Sequence, residues 1–494
     1  MSKLTTQQLG RVNKHAKSGS AKSSKLTKRL ERETFRTNRE MDFFSEKELV
    51  TQTGHSRDEW PLVIVKELID NSLDACEESD IPPFIEVQAE ASGIAVKDNG
   101  PGIPASTIKA ALDFRVRVSS REVYVAPDRG AQGNALKTLF PMPYVLDLDG
   151  GSMTVTACGI QHLIACRADV ISQRPVIDRV ETQVPTADGT EVRLDWSERR
   201  DSEGTLLWPF DDDCDPTANE SYWRDLTIKQ RALSLLQGFA LFNPHLTMAV
   251  NWFGVEVRYD ATDPTWKKWK PDKPTSPHWY GLRHLERLVA AHIAKDRDQR
   301  TDRTIADFIK QFDGLTGTQK RKAVIDQTGL SRVNLSTLAT DDGLNSSKIN
   351  ELLSAMKEHT KVVKATRLGI IGKDHLSARF TELGCDPKQF EYSKKTSLDE
   401  GLPCVLEAAF SWRGDEAEDQ RQIFTGANWS SAIKNPFRSF GSTGEGLEAT
   451  LTELRAGADE PIVYALHLAH PRIEYTDRGK SAIVIADGED GGEA

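Results

Sequence analysis

The 494-residue sequence lacks what marks several protein classes at once. No run approaches the ~18 consecutive apolar residues of a membrane-spanning helix, and the Lys- and Ser-rich start has no apolar signal-peptide core. The six cysteines (Cys76, Cys158, Cys166, Cys214, Cys385 and Cys404) are scattered, with no C-x-x-C pair. That spacing suits reduced thiols better than a disulfide framework or a zinc site. There is no overall excess of positive charge: 64 Lys+Arg face 74 Asp+Glu, a net charge of −10, which excludes a histone-like binder. Any contact with nucleic acid must come from a local patch. Neither a G-x-x-x-x-G-K-[ST] loop nor a G-x-G-x-x-G turn after a strand occurs, which removes the commonest nucleotide-binding motifs. A cytoplasmic chain, in the cytosol or at the nucleoid, is expected.

What is present is length for about three domains on a ~150-residue prior, and 38% hydrophobic residues, enough for several cores. Residues 1–40 hold 11 Lys/Arg against three Glu, so the remaining chain carries −18. This reads as a flexible basic arm, with helical character from about Lys25 to Glu40. Beyond it, Val65, Leu68, Ile69, Leu73 and Cys76 recur at helical spacing after Trp60-Pro61, predicting a helix over 59–78. Alternation at Ile85, Val87, Ala89 and again at Ile94 and Val96 predicts a strand pair ending at Asp98. Strands are further expected near 153–157, 162–168, 190–195 and 245–250, and a helix over 232–242. Asp201–Asn219 reads as an acidic loop. Trp266–Pro277 reads as a boundary connection. Helical patterns dominate 282–363, at Leu285–Ala294, Ile305–Phe312 and Ile349–Met356. Alternation around Val405–Phe410 and Ile462–Leu466 marks a second α+β unit. One helix on antiparallel strands is an α+β sandwich, not a doubly wound parallel sheet.

Four pieces carry chemistry. Glu67, Asn71 and Asp74 in E-L-I-D-N-S-L-D-A share roughly one helix face by spacing. Asn can offer Mg²⁺ a neutral oxygen beside a Glu acting as general base toward water. Asp98-Asn99-Gly100-Pro101-Gly102-Ile103 sits at a strand end, where Asp can accept from an exocyclic amine and the glycines admit a flat ligand closely. The same residues also make good turn chemistry. Arg129-Gly130-Ala131-Gln132-Gly133-Asn134-Ala135-Leu136-Lys137 is a glycine loop entering a helix, whose N–H groups could face phosphates with Lys137 nearby. Gly189-Thr190 opens a strand.

In this order and on these elements, the four pieces resemble the Bergerat-fold ATP site of the GHKL superfamily (gyrase, heat-shock chaperone, histidine kinase, MutL). Glu67–Asn71 resembles its N box, Asp98–Gly102 the first glycine box, Gly130–Ala135 the second and Gly189-Thr190 the third. Phe43-Phe44, Val65–Glu78, Ile81–Val87, Asn243-Pro244-His245 and Ser276–Gly281 resemble more particularly the B subunits of topoisomerase VI. Glu407–Phe410, Phe424–Asn428 and Tyr475–Ile483 are similar to that family's transducer. The resemblance implies an arm over 1–40, a Bergerat-fold ATPase domain over 41–280, a helix-two-turn-helix-like domain over 281–365, an S5-like transducer over 366–487 and an acidic tail over 488–494.

It also implies ATP and Mg²⁺ as cofactors, with Glu67 polarising water, Asn71 ligating Mg²⁺, Asp98 accepting from adenine N6 and Thr190 supporting it. Gly100, Gly102, Ile103, Gly130, Gln132, Gly133, Asn134, Ala135, Leu136 and Lys137 would line the nucleotide, and Lys480 would reach the γ-phosphate. Arg115, Arg117, Ser119 and Ser120 are further candidate phosphate contacts. The implied activity is an ATP-gated homodimeric clamp acting on double-stranded DNA with a separate A-type subunit of Toprim and winged-helix construction, and with no membrane partner. Two features depart from the pattern: Asn134-Ala135 stands where a further Gly is usual, and only 14 residues follow Lys480, where the family has a long helix. The second departure keeps open an ATP-switched assembly, DNA-defence or recombination factor without strand passage.

Overall fold

The computed structural model describes residues 39–114, 123–129, 135–148, 150–169, 171, 174–200, 202, 204, 227–270, 272–341, 343–414, 421–438, 446–476 and 482–484. The basic arm, most of the acidic stretch 201–219, Arg115, Arg117, Ser119, Ser120, Gly130, Gln132, Gly133, Asn134, Lys480 and the tail lie outside them.

The first helices are α1 (Glu46–Thr53) and α2 (Trp60–Glu78). Ser45 caps α1 by accepting from the Glu48 N–H, and Gly54, at φ +70°, ends it. Pro61 occupies the first turn of α2, where its missing N–H is not needed. At the other end Asp80 takes a left-handed φ of 57°, and the Ile81 N–H returns to the Cys76 carbonyl at 2.9 Å. Those features close the helix as a Schellman turn with Asp in the place glycine usually holds.

The strands β1 (Phe84–Glu90) and β2 (Gly93–Asp98) form the expected hairpin. Short helices α3 (Ala105–Ala111), α4 (Ala135–Leu139) and α5 (Met142–Leu146) precede β3 (Ser152–Ala157), β4 (Ile160–Asp169), β5 (Arg174–Gln183) and β6 (Thr190–Asp195). Helix α6 (Ile228–Phe242) opens on a reciprocal Thr227/Gln230 capping box and leads to β7 (Thr247–Trp252) and β8 (Val255–Tyr259). All eight strands form one sheet, in the order β5-β4-β3-β6-β2-β1-β7-β8. Its pairings are antiparallel except β1 with β7, which the long excursion through α6 allows to run parallel. The expected all-antiparallel layer is therefore a mixed one, within an α+β fold. Buried and half-buried residues alternate along β3 and β6. The dry face, with Val87, Val96, Met153 and Leu194, packs on Ile64, Leu68 and Leu73 of α2 and on Leu235 and Phe239 of α6.

Helices α7 (Leu282–Asp298), α8 (Ile305–Ile309), α9 (Thr318–Thr328) and α10 (Ser346–Glu358), with the two-residue pair β9 (Ala339–Thr340) and β10 (Gly343–Leu344), make up the helical region. Next come α11 (Lys373–Glu382) and strands β11 (Glu391–Asp399), β12 (Leu402–Trp412), β13 (Gln422–Ala427) and β14 (Ser430–Ser431). Helix α12 (Gly446–Glu453) precedes β15 (Ile462–Ala469) and the short pair β16 (Glu474–Tyr475) and β17 (Ile483–Val484). The second sheet has the order β11-β12-β15-β13-β14. One apolar core runs from Leu288, Phe308 and Met356 of the helical region into Val405, Ala409 and Val463 of this sheet. The helical and second-sheet segments thus share a core. Trp266–Pro277 is no mere connection either, since Lys268, Trp269 and Ser276 are buried. No described helix is long and apolar enough to cross a membrane.

Candidate functional site

The site is assembled where strands β2, β6 and β3 end together. Lys97 pairs with Glu191 and Ala157 with Thr190, so Asp98, Thr190 and the Cys158-Gly159 turn lie at one edge of the sheet. Asp98 is buried and accepts three hydrogen bonds. Its Oδ1 takes the backbone N–H of Gly100 at 2.8 Å and of Thr190 at 3.1 Å, and its Oδ2 takes the Ser72 hydroxyl of α2 at 3.0 Å. A carboxylate has about four lone-pair positions, so these donors leave roughly one on Oδ2 for an incoming amine. Burial pushes the Asp98 carboxyl up, and the three donors work against that rise. Thr190 supports Asp98 through its backbone N–H.

Backbone must come very close here, and two glycines allow it. Gly189 has φ +87°, and a Cβ on it would overlap the Asp98 carbonyl oxygen. Gly102 has φ +82°, and a Cβ on it would sit 2.8 Å from Cys158 Sγ and 3.2 Å from the Gly189 carbonyl. The first and third glycine boxes are thereby in direct backbone contact. Asn99 holds the strand end from the other side, accepting from the Phe84 N–H at 2.8 Å and donating to the Pro82 carbonyl at 3.0 Å. Ile103 is half-buried against the sheet core.

Glu67 and Asn71 lie on α2 toward its N-terminus from Ser72, Glu67 by about 7.5 Å at ~1.5 Å per residue. Both are half-buried, and among the described residues neither side chain makes a hydrogen bond or ion pair. Asp74, about 20° from Glu67 around α2 but two turns further along it, joins a buried ion cluster. There it meets Arg129, the last described residue before the glycine loop. The Arg129 guanidinium has no exposed surface. It donates to both Glu77 oxygens (2.7 and 2.6 Å), Asp74 Oδ1 (2.8 Å), Asn243 Oδ1 (2.6 Å) and the Trp429 carbonyl (3.4 Å). Those contacts engage all five donors of the fork. Glu77 also receives Lys268 at 2.8 Å and His245 at 3.0 Å. Burial alone would raise Glu77, but Arg129 and Lys268 hold its carboxyl well below the usual range. Past the loop, α4 carries Ala135, half-buried Leu136 and buried Lys137; the Lys137 Nζ donates to the Asp113 carbonyl at 2.6 Å.

Sequence inspection missed this ionic stripe of α2. Glu59 meets Arg231 at 2.6 Å and Lys434 at 2.7 Å, Lys66 meets Asp70 at 2.7 Å, and Asp70 accepts from the Ser430 hydroxyl at 2.7 Å. Tyr475, five residues before Lys480, lies near Lys66 and Asp70, and burial pushes its phenol up to about 12. The available signal was the i, i+4, i+7 recurrence of charge at 59, 66, 70, 74 and 77 on an otherwise apolar helix.

No family model matches the chain. The B subunit of type 2 DNA topoisomerase 6 from Archaeoglobus fulgidus is 22% identical over 449 residues, covering 85% of this chain and 66% of the relative. Its namesake from Methanococcoides burtonii is 24% identical over 451 residues, covering 85% and 64%. The chain spans about two thirds of the length of these relatives. The solved B subunit of DNA gyrase from Myxococcus xanthus aligns over 89% of this chain and 88% of its own at 11% identity, with a TM-score of 0.36. Across 85% of its length, this chain is similar to the type 2 DNA topoisomerase 6 B subunits.

Proposed function

We propose that the chain is an ATP-hydrolysing, topoisomerase B-type subunit that closes as a homodimer on ATP and drives strand passage of double-stranded DNA with a separate A-type cleavage subunit. The observation that carries the reading is Asp98, fixed by Gly100, Thr190 and Ser72, the last on the helix that carries Glu67 and Asn71. The printed names of the relatives support the same direction.

The residues fit the nucleotide and its metal. Asp98 retains an acceptor position suited to an adenine amine, and Gly102 and Gly189 allow a flat base to approach backbone. Asn71 offers a neutral oxygen for Mg²⁺, which when bound neutralises charge on the phosphates. Glu67 would take a proton from the attacking water. Arg129 fixes the start of the second glycine loop, and Lys480 has the γ-phosphate contact in this proposal. Substituting Glu67→Ala should lower turnover by about 10²–10⁴-fold, the usual worth of a general base, while nucleotide binding persists. Near-normal turnover in that variant, measured by phosphate release, overturns the assignment. Copurification from native extract tests the A-type partner.

A further inference from the structure

The turn joining β13 to β14 is built under strain. Ala427 pairs with Ser430, and the two residues between them, Asn428 and Trp429, both have positive φ, 48° and 64°. A two-residue hairpin of this kind prefers Asn-Gly, so a tryptophan at the second position costs backbone energy that its surroundings must offset. They do so from every side. The Trp429 N–H donates to His467 Nε2 at 2.9 Å, its carbonyl accepts from Asn243 at 2.9 Å and from Arg129, and Lys268 Nζ lies 4.8 Å from the centre of its ring. Asn428 donates to the Asp128 carbonyl at 3.3 Å and accepts from the His470 N–H at 2.9 Å. The next residue, Ser430, reaches Asp70, which is buried, paired with Lys66, and one helical position before Asn71.

Resting on the ATPase reading above, we propose that Asp70 and Ser430 are positioning residues for ATP hydrolysis: the strained 428–430 turn grips α2 through Asp70 and thereby sets the line of Glu67 and Asn71. The second sheet then acts on the reaction through this grip as well as through any direct contact with the nucleotide. The geometry is suited to the task because the hydroxyl bonds a buried carboxylate, and hydrogen bonds to charged groups are the strong ones. Asp70 Oδ1 is buried without a hydrogen-bond partner among the described residues, so Lys66 and Ser430, both on Oδ2, are what hold the carboxylate.

The test uses the full-length chain and two variants, Ser430→Ala and Ser430→Thr, with ATP turnover, nucleotide affinity by titration and thermal unfolding measured on each. Removing the hydroxyl should lower kcat about fivefold, within the usual range for mutations that alter coupling, with nucleotide affinity within about twofold of wild type. Threonine, which keeps the hydroxyl, should restore kcat. Normal kcat in Ser430→Ala, whether or not its melting temperature falls, overturns the positioning role and leaves the ATPase reading standing. Loss of kcat in Ser430→Thr equal to that in Ser430→Ala also overturns it. Absence of ATP binding by the wild-type chain overturns the ATPase reading itself and the inference with it.

Discussion

Two polar stripes lie side by side on α2, and they are built on opposite terms. Glu67 and Asn71 are half-buried, and among the described residues neither side chain makes a hydrogen bond or ion pair. Glu59, Lys66, Asp70, Asp74 and Glu77, turned by roughly 20–100° around the same helix, are buried and ion-paired. Buried charges are tolerable only when paired and hydrogen-bonded, so the second stripe has a single arrangement. Polar groups left without a hydrogen bond or ion pair in the protein are available to a ligand. One helix therefore carries both the groups that would act and the groups that fix where they act.

The strongest way to break the contrast is to unpair the fixed stripe. Arg129→Ala removes the guanidinium from buried Asp74 and leaves Glu77 with Lys268 and His245, and should cost about 3–5 kcal/mol in urea unfolding. Arg129→Lys keeps the charge but offers three donors in place of five and should fall between, unlike a change at Glu67, which should leave the unfolding midpoint nearly unmoved. On the side of the open stripe, Gly189→Ala forces the Asp98 strand end away and imposes a left-handed φ on alanine. It should cost about 1–3 kcal/mol and weaken nucleotide binding, read by melting and titration together.

The smallest expected effect is on pH dependence. His467 is buried beside Arg129 and its imidazole is lowered to about 3, burial being the main cause. The folded chain keeps it neutral while the unfolded chain protonates it below about 6.5. Its share of stability is therefore whole above that pH and is lost as pH falls toward 3. His467→Gln should flatten the fall of melting temperature over that window; an unchanged slope counts against the assignment.

The open stripe and the strand end beside it were legible in the sequence because their residues are close together: Glu67 and Asn71 on one helix, and Asp98-Asn99-Gly100 at a strand end whose alternation is clean. The fixed stripe was not, because its charged members use the same residue types as any solvated face, and their partners Arg129, Arg231, Asn243, Lys268 and Ser430 come from remote segments. Among the elements, α9 escaped notice because it buries only Val324 and Ile325, and β11 because nearly all of its residues are exposed. Burial and pairing, not residue type, separate the two classes.

Arg129 bonds residues 52, 55, 114 and 300 positions away along the chain. During synthesis from the N-terminus, the eight-stranded sheet can be complete while Arg129 and Asn243 still await the carbonyl of Trp429. Contacts so distant in sequence are slow to form and expose what they will later cover. The start of the second glycine loop therefore reaches its final bonding only after the second sheet has been made, and the last residues to fold complete the site that the first ones outline.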